Sequence, residues 1–175
     1  MKKRIVCGSA AILLTGLTVA MFSTAATQTR EKARSAATPA ITPIKDTGVV
    51  QRGRYLVKIA GCNDCHTPGY AVSSGGVAEK DWLTGDSVGW QGAWGTTYPI
   101  NLRLFMQSVS EDQWVALARQ PARPPMPWFA LRDMADEDLR AIYHFVRALG
   151  PVGEQAPAYL PPAQAASTPV VKFPG

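Results

Sequence analysis

The chain has 175 residues, 46% of them hydrophobic and 18% charged, a balance that argues against a disordered polyelectrolyte and leaves room for one small core. Its formal charge of +5 belongs to the ends: Lys2, Lys3, Arg4, Arg30, Lys32, Arg34 and Lys45 all precede Asp46, whereas from Asp46 to Gly150 ten Lys and Arg face eleven Asp and Glu. With no basic stripe interleaved with aromatics, a nucleic-acid partner has no support.

Met1-Lys2-Lys3-Arg4 is a basic n-region, Ile5 to Phe22 carries no charge, and Ser23-Thr24-Ala25-Ala26 offers small residues for cleavage. Residues 1–26 are therefore predicted to be a secretory signal peptide, which sends the protein to the periplasm. The alternative is an uncleaved membrane tether, since Ile5 to Ala26 is about long enough to span a bilayer; its Gly, Ser, Thr and Ala content favours cleavage. Residues 27–45 have no apolar period and read as a flexible linker. Residues 46–150 form the predicted domain.

Asp46 to Gly61 is the first predicted helix, with Val49, Val50, Tyr55, Leu56 and Ile59 mostly on one side. Gly53 interrupts it at a cost in helix propensity, as expected where another helix crosses closely. The helix leads into Cys62-Asn63-Asp64-Cys65-His66. C-x-x-C-H is the spacing at which two thiols bond the vinyl groups of one haem c and the histidine becomes the proximal iron ligand. If Cys and His each make up roughly 2% of residues, the pattern arises by chance about once in a thousand chains of this length. A thioredoxin-like use needs a βαβ setting that is absent from the pattern. A structural zinc site needs four ligands, whereas the chain has three Cys and two His, with Cys7 in the leader.

Thr67 to Pro99 is a long irregular segment rich in glycine, with Trp82, Trp90, Trp94 and Tyr98 along it. Segments of this kind inside a compact domain wrap around something or serve a function; here the aromatics either cover a porphyrin edge or pack on the protein core. Leu104-Phe105-Met106 reads as core. Ser110 and Gln113 form a capping box that opens a helix through Arg119. Pro121, Pro124, Pro125 and Pro127 forbid regular structure. A last helix runs from about Asp136 to Leu149, with Leu139, Ile142, Tyr143, Val146 and Leu149 as its apolar face, and Gly150-Pro151 ends it. Residues 151–175 are a Pro/Ala-rich tail, either disordered or docked as an extended strap.

A sixth iron ligand has few candidates. His144 points away from the apolar stripe of its helix and reads as a surface residue. Met134 precedes the last helix, where it packs on the first turns. Met126 stands apart: it lies in Arg123-Pro124-Pro125-Met126-Pro127-Trp128, where prolines stiffen the backbone and lower the ordering cost of a bond from thioether to iron. Met126 is therefore the expected ligand opposite His66.

Together, Gly53-Arg54-Tyr55-Leu56, Gly61 to Gly69 around the haem motif, Trp94-Gly95 to Asn101-Leu102, Met126-Pro127-Trp128 and the closing helix with Tyr143 resemble a bacterial monohaem class I cytochrome c. The resemblance covers about Val50 to Gly150. It implies an all-α fold around one haem, from whose smallest members this chain departs by a longer Gly/Trp-rich loop, and a close crossing of the first and last helices, at Gly53 or Leu56 against Tyr143. It also implies that Pro68 offers its carbonyl to the His66 ring N–H, and that Trp94, Asn101 and Trp128 belong to the cofactor site alongside Cys62, Cys65, His66 and Met126. The function that follows is single-electron transfer between a dehydrogenase and an oxidase or reductase, without catalysis. The alternatives are the cytochrome subunit of a dehydrogenase complex, or a haem enzyme or small-molecule sensor with an open distal site.

Overall fold

The computed structural model describes residues 48–174; the expected signal segment and most of the linker lie outside them. Six α-helices are present among the described residues: α1 (Gly48–Ile59), α2 (Cys62–His66), α3 (Leu102–Ser108), α4 (Glu111–Ala118), α5 (Trp128–Arg132) and α6 (Asp136–Leu149). Three short strands, β1 (Gly89–Gly92), β2 (Gly95–Thr97) and β3 (Val170–Lys172), form one sheet in the order β2-β1-β3. The sheet is an addition to the all-α expectation. No helix among the described residues is long and apolar enough to cross a membrane.

The crossing of α1 and α6 organises the core, and Gly53 sets how close it is. A Cβ at this position would stand 1.9 Å from the carbonyl oxygen of Ala141 and 2.8 Å from the Cβ of Phe145, so only glycine permits the approach. The α6 residues that meet Gly53 are thus Ala141 and Phe145, not Tyr143. Tyr143 leans elsewhere and donates its hydroxyl to the Val109 carbonyl at 3.1 Å. The contact also corrects the predicted stripe on α1: Val50 and Leu56 are buried, but Val49, Tyr55 and Ile59 are exposed, Tyr55 by 53%, while Val57 is fully enclosed. The bulky residues suggested one face; the position without a side chain selects another. An ion pair from Arg52 to Asp138 at 2.9 Å spans the same two helices at the surface.

The bounds of α6 match the prediction, and the capping box of α4 is made in full, with Ser110 Oγ accepting from the Gln113 N–H and Gln113 Oε1 from the Ser110 N–H. Inside α4, the Trp114 indole donates to the Leu139 carbonyl at 2.7 Å, fixing α4 on α6. Two buried polar residues tie the loops to this frame. Arg103 gives its guanidinium to the carbonyls of Lys80, Leu149 and Gly150, which closes the C-terminal end of α6. Asn101 caps α3 by accepting from the Leu104 N–H and donates to the carbonyls of Val152 and Glu154.

β1 pairs antiparallel with β2 through Ala93-Trp94 and parallel with β3, so that Trp90 faces Thr97 on one side and Val171 on the other. Leu160 extends the contact: it exchanges hydrogen bonds of 2.8 and 3.0 Å with Thr96. Residues 152–174 therefore form a docked strap, the second of the two states considered for the tail.

Candidate haem site

Gly61, in the left-handed region at φ 71°, turns the chain from α1 into α2. That turn delivers Cys62, Cys65 and His66 to one wall of a cavity of about 1030 Å³, at the upper limit of the roughly 300–1,000 Å³ usual for small-molecule and cofactor sites. Thr67 locks the end of α2 by donating to Asn63 Oδ1 at 2.7 Å and accepting from the Leu83 N–H at 2.8 Å. Leu83 is fully buried at φ 62°, a strained backbone for a branched side chain. Its carbonyl accepts from the Leu102 N–H, and the next contact, from the Gly85 N–H to the His66 carbonyl at 2.9 Å, holds the motif from behind.

His66 Nδ1–H donates to the carbonyl of Ile100 at 2.8 Å. That bond orients the ring and leaves Nε2 with its lone pair, the arrangement a metal-bound imidazole requires. Burial pushes the imidazolium pKa down despite the Ile100 carbonyl, so the ring is held in its neutral, ligating form. Burial likewise raises the Cys62 thiol to about 11, with Asp64 and Cys65 adding to it, and raises Cys65, again with help from Asp64. Thiols tuned for disulfide exchange are shifted the other way. No three His, Cys, Asp or Glu side chains among the described residues converge as a metal ion alone would need.

The rest of the cavity is mostly apolar. α3 and α4 contribute Leu102, Phe105, Met106, Trp114, Leu117 and Ala118; the sheet and the chain after it contribute Trp90 and Thr97 to Ile100. The proline-rich loop supplies Arg123 to Met126, followed by Trp128 of α5, and the strap closes one side with Gln155 to Tyr159. One polar atom there lacks a partner: the buried Thr97 hydroxyl makes no hydrogen bond. A flat apolar ring system carrying carboxylates suits such a wall, since it fills the apolar volume and offers acceptors to an unpaired donor.

Of the residues expected at the cofactor, Cys62, Cys65, His66, Met126 and Trp128 line this one cavity. Pro68 does not: it is exposed, and the His66 bond it was expected to accept goes to Ile100. Asn101 serves as a helix cap and strap anchor. Trp94 packs its ring against Phe173 at 5.5 Å, outside the lining, although its indole N–H is buried without a partner. Within the aromatic loop, Trp90 and Tyr98 line the cavity, while Trp82 belongs to the protein core against Tyr70 and Phe145. Met134 and His144 stay away from the lining, His144 lying 3.2 Å from Glu111. Met106, read as core, is fully buried and also lines the cavity.

Sequence reasoning missed Ile100, Thr97 and the whole Gln155 to Tyr159 wall. Ile100 acts through its backbone, which leaves no side-chain signature; Tyr159, a lone aromatic in a Pro/Ala-rich tail, was the available clue to the strap. Comparison of the chain with protein-family models, characterised proteins and solved structures gives no match.

Proposed function

We propose that the protein is a c-type cytochrome of the class I kind: one haem bonded through Cys62 and Cys65, ligated by His66 and Met126, and used to pass single electrons between periplasmic or membrane redox proteins. The observation that carries this reading is the joint presence of Cys62, Cys65, His66 and Met126 on one large apolar cavity, with the imidazole steered by Ile100. The close crossing of α1 and α6 at Gly53 supports the fold assignment. When bound, the haem supplies a reversible one-electron couple. The chain's own work is to orient His66, bring up a thioether and keep water away with Trp90, Phe105, Trp114 and Trp128. With His66 and Met126 both holding the iron, no position would be left for a substrate, which favours a carrier over an enzyme, and a thioether would raise the potential relative to a second imidazole.

The test is expression with haem-maturation machinery, followed by intact mass and oxidised spectra of wild type and Met126→Ala. One covalent haem per chain is expected, with the weak far-red absorption of a ferric thioether bond in wild type and none in the variant. Absence of covalent haem would sink the cytochrome reading, and a haem protein without the far-red band would sink the Met126 assignment.

A further inference from the structure

The proline-rich loop is closed at its base by Arg119, whose guanidinium donates to the carbonyls of Leu131, Arg132 and Met134, but its tip has little holding it in place. Its hydrogen bonds are local: the Met126 N–H reaches the Arg123 carbonyl at 3.2 Å, and the Trp128 N–H reaches the Met126 carbonyl at 2.8 Å. Prolines stiffen such a turn without placing it against the rest of the chain. One contact among the described residues does so from a distance. The Arg123 guanidinium lies over the ring of Tyr159, 4.2 Å from its centroid, at the distance of a close cation–π pair.

Tyr159 is itself held. Its hydroxyl donates to the Trp94 carbonyl at 2.7 Å, and its neighbour Leu160 is paired with Thr96. Gly95 lets the strap come this near, since a Cβ there would stand 2.2 Å from the Leu160 carbonyl oxygen. Further along, Phe173 sets its ring between Trp90 and Trp94, with centroids 5.7 and 5.5 Å away. The strap is thus fastened to the sheet at Tyr159 and beyond it, and before it to Asn101 through the Val152 and Glu154 carbonyls, while Arg123 starts the turn that ends at Met126.

We infer that Arg123 and Tyr159 are positioning residues, a clamp by which the strap holds the Met126 loop closed over the cavity and controls how often the thioether leaves the iron. The inference rests on the reading of Met126 as sixth ligand. The clamp makes the distal position conditionally accessible: intact, it excludes small ligands; loosened, it admits them without any change in the residues that bond the haem.

Imidazole binding to the oxidised holoprotein reads the open fraction, because apparent affinity scales with the population of the competent state. Arg123→Gln and Tyr159→Leu are each expected to tighten imidazole binding about threefold to tenfold, the range such a contact supports. The double variant should do no more than either alone, as two ends of one interaction require. Arg123→Lys and Tyr159→Phe, which keep a cation and a ring, should stay nearer wild type. Unchanged imidazole affinity in Arg123→Gln, or fully additive effects in the double variant, would overturn the clamp while leaving Met126 as ligand. A wild type with covalent haem but no far-red band would overturn both. Arg123 is exposed, so its variants report even if Tyr159→Leu does not fold.

Discussion

The helical crossing and the cavity wall are built on opposite principles. At the crossing, α1 and α6 touch backbone to backbone through Gly53, and Val57, Leu139 and Val146 are fully enclosed by protein. The far wall of the cavity comes from a hairpin, a proline-rich turn and a strap, segments that contribute few helical hydrogen bonds and surround about 1030 Å³. The first region is complete in its own contacts; the second, on the proposed function, would be completed by the haem. The two regions meet in α1, α3, α4 and α6, where Val57, Met106, Trp114, Ala118 and Ile142 belong both to the core and to the cavity lining.

The sharpest way to break the crossing is Gly53→Ala. A methyl 1.9 Å from the Ala141 carbonyl oxygen forces the helices apart, and a loss of about 3 kcal/mol or more is expected in chemical denaturation. A cost below about 1 kcal/mol would mean that the crossing is far softer than its geometry. Next in size is removal of the proposed haem. In apoprotein prepared as Cys62→Ala/Cys65→Ala, amide exchange should accelerate most at β1, β2 and the strap and least where α1 meets α6. Uniform acceleration would erase the distinction between the regions.

A smaller change should switch sign between the two states. Thr97→Val removes the buried hydroxyl that lacks a partner, so the apoprotein is expected to gain up to about 1 kcal/mol, while the haem-loaded protein loses about as much. Equal effects in both states would show that the hydroxyl does not serve the occupant. The least effect is expected at the surface pair of the crossing. Arg52, by hydrogen bond and charge, holds the Asp138 carboxyl below its ordinary value of 3.8. A depressed carboxylate contributes stability that is fully present above that value and is lost as pH falls through the lower folded value. Asp138→Asn should therefore lower the melting temperature slightly at neutral pH and not at all in strong acid; a pH-independent difference would assign the effect to the acidic first turn of α6 rather than to Arg52.

What the sequence disclosed follows the reach of the interactions involved. The bounds of α6, the capping box of α4 and the haem motif are local patterns, each written within a few residues of itself. The α1 stripe went astray because Tyr55 and Ile59 are apolar by type, yet the buried side is chosen by where a distant backbone fits against Gly53. The short helices α3 and α5 lie below the length at which periodicity speaks. The sheet joins Gly89 to Val170 with short strands, β1 and β2 of Gly, Trp, Gln and Thr without alternation, and the acceptor for His66 is the carbonyl of Ile100, 34 residues away, rather than that of nearby Pro68. At the cavity, sequence patterns singled out Cys62, Cys65, His66 and Met126, which line it together; the Ile100 carbonyl left no pattern, and the strap stood only as one of two readings of the tail.

The pairing of β3 with β1 also sets an order in time. β3 is three residues long and leaves Val171 and Lys172 exposed, so it adds little burial of its own and docks only on a β1–β2 hairpin already formed. Until it happens the wall made by Gln155 to Tyr159 is missing, and the thiols of Cys62 and Cys65 face a trough rather than a pocket. On the proposed function, the haem would be delivered sideways and bonded before the strap shuts behind it. The strap would then be a seam sewn after loading, and slowing that step would lengthen the interval in which the proposed cofactor can enter.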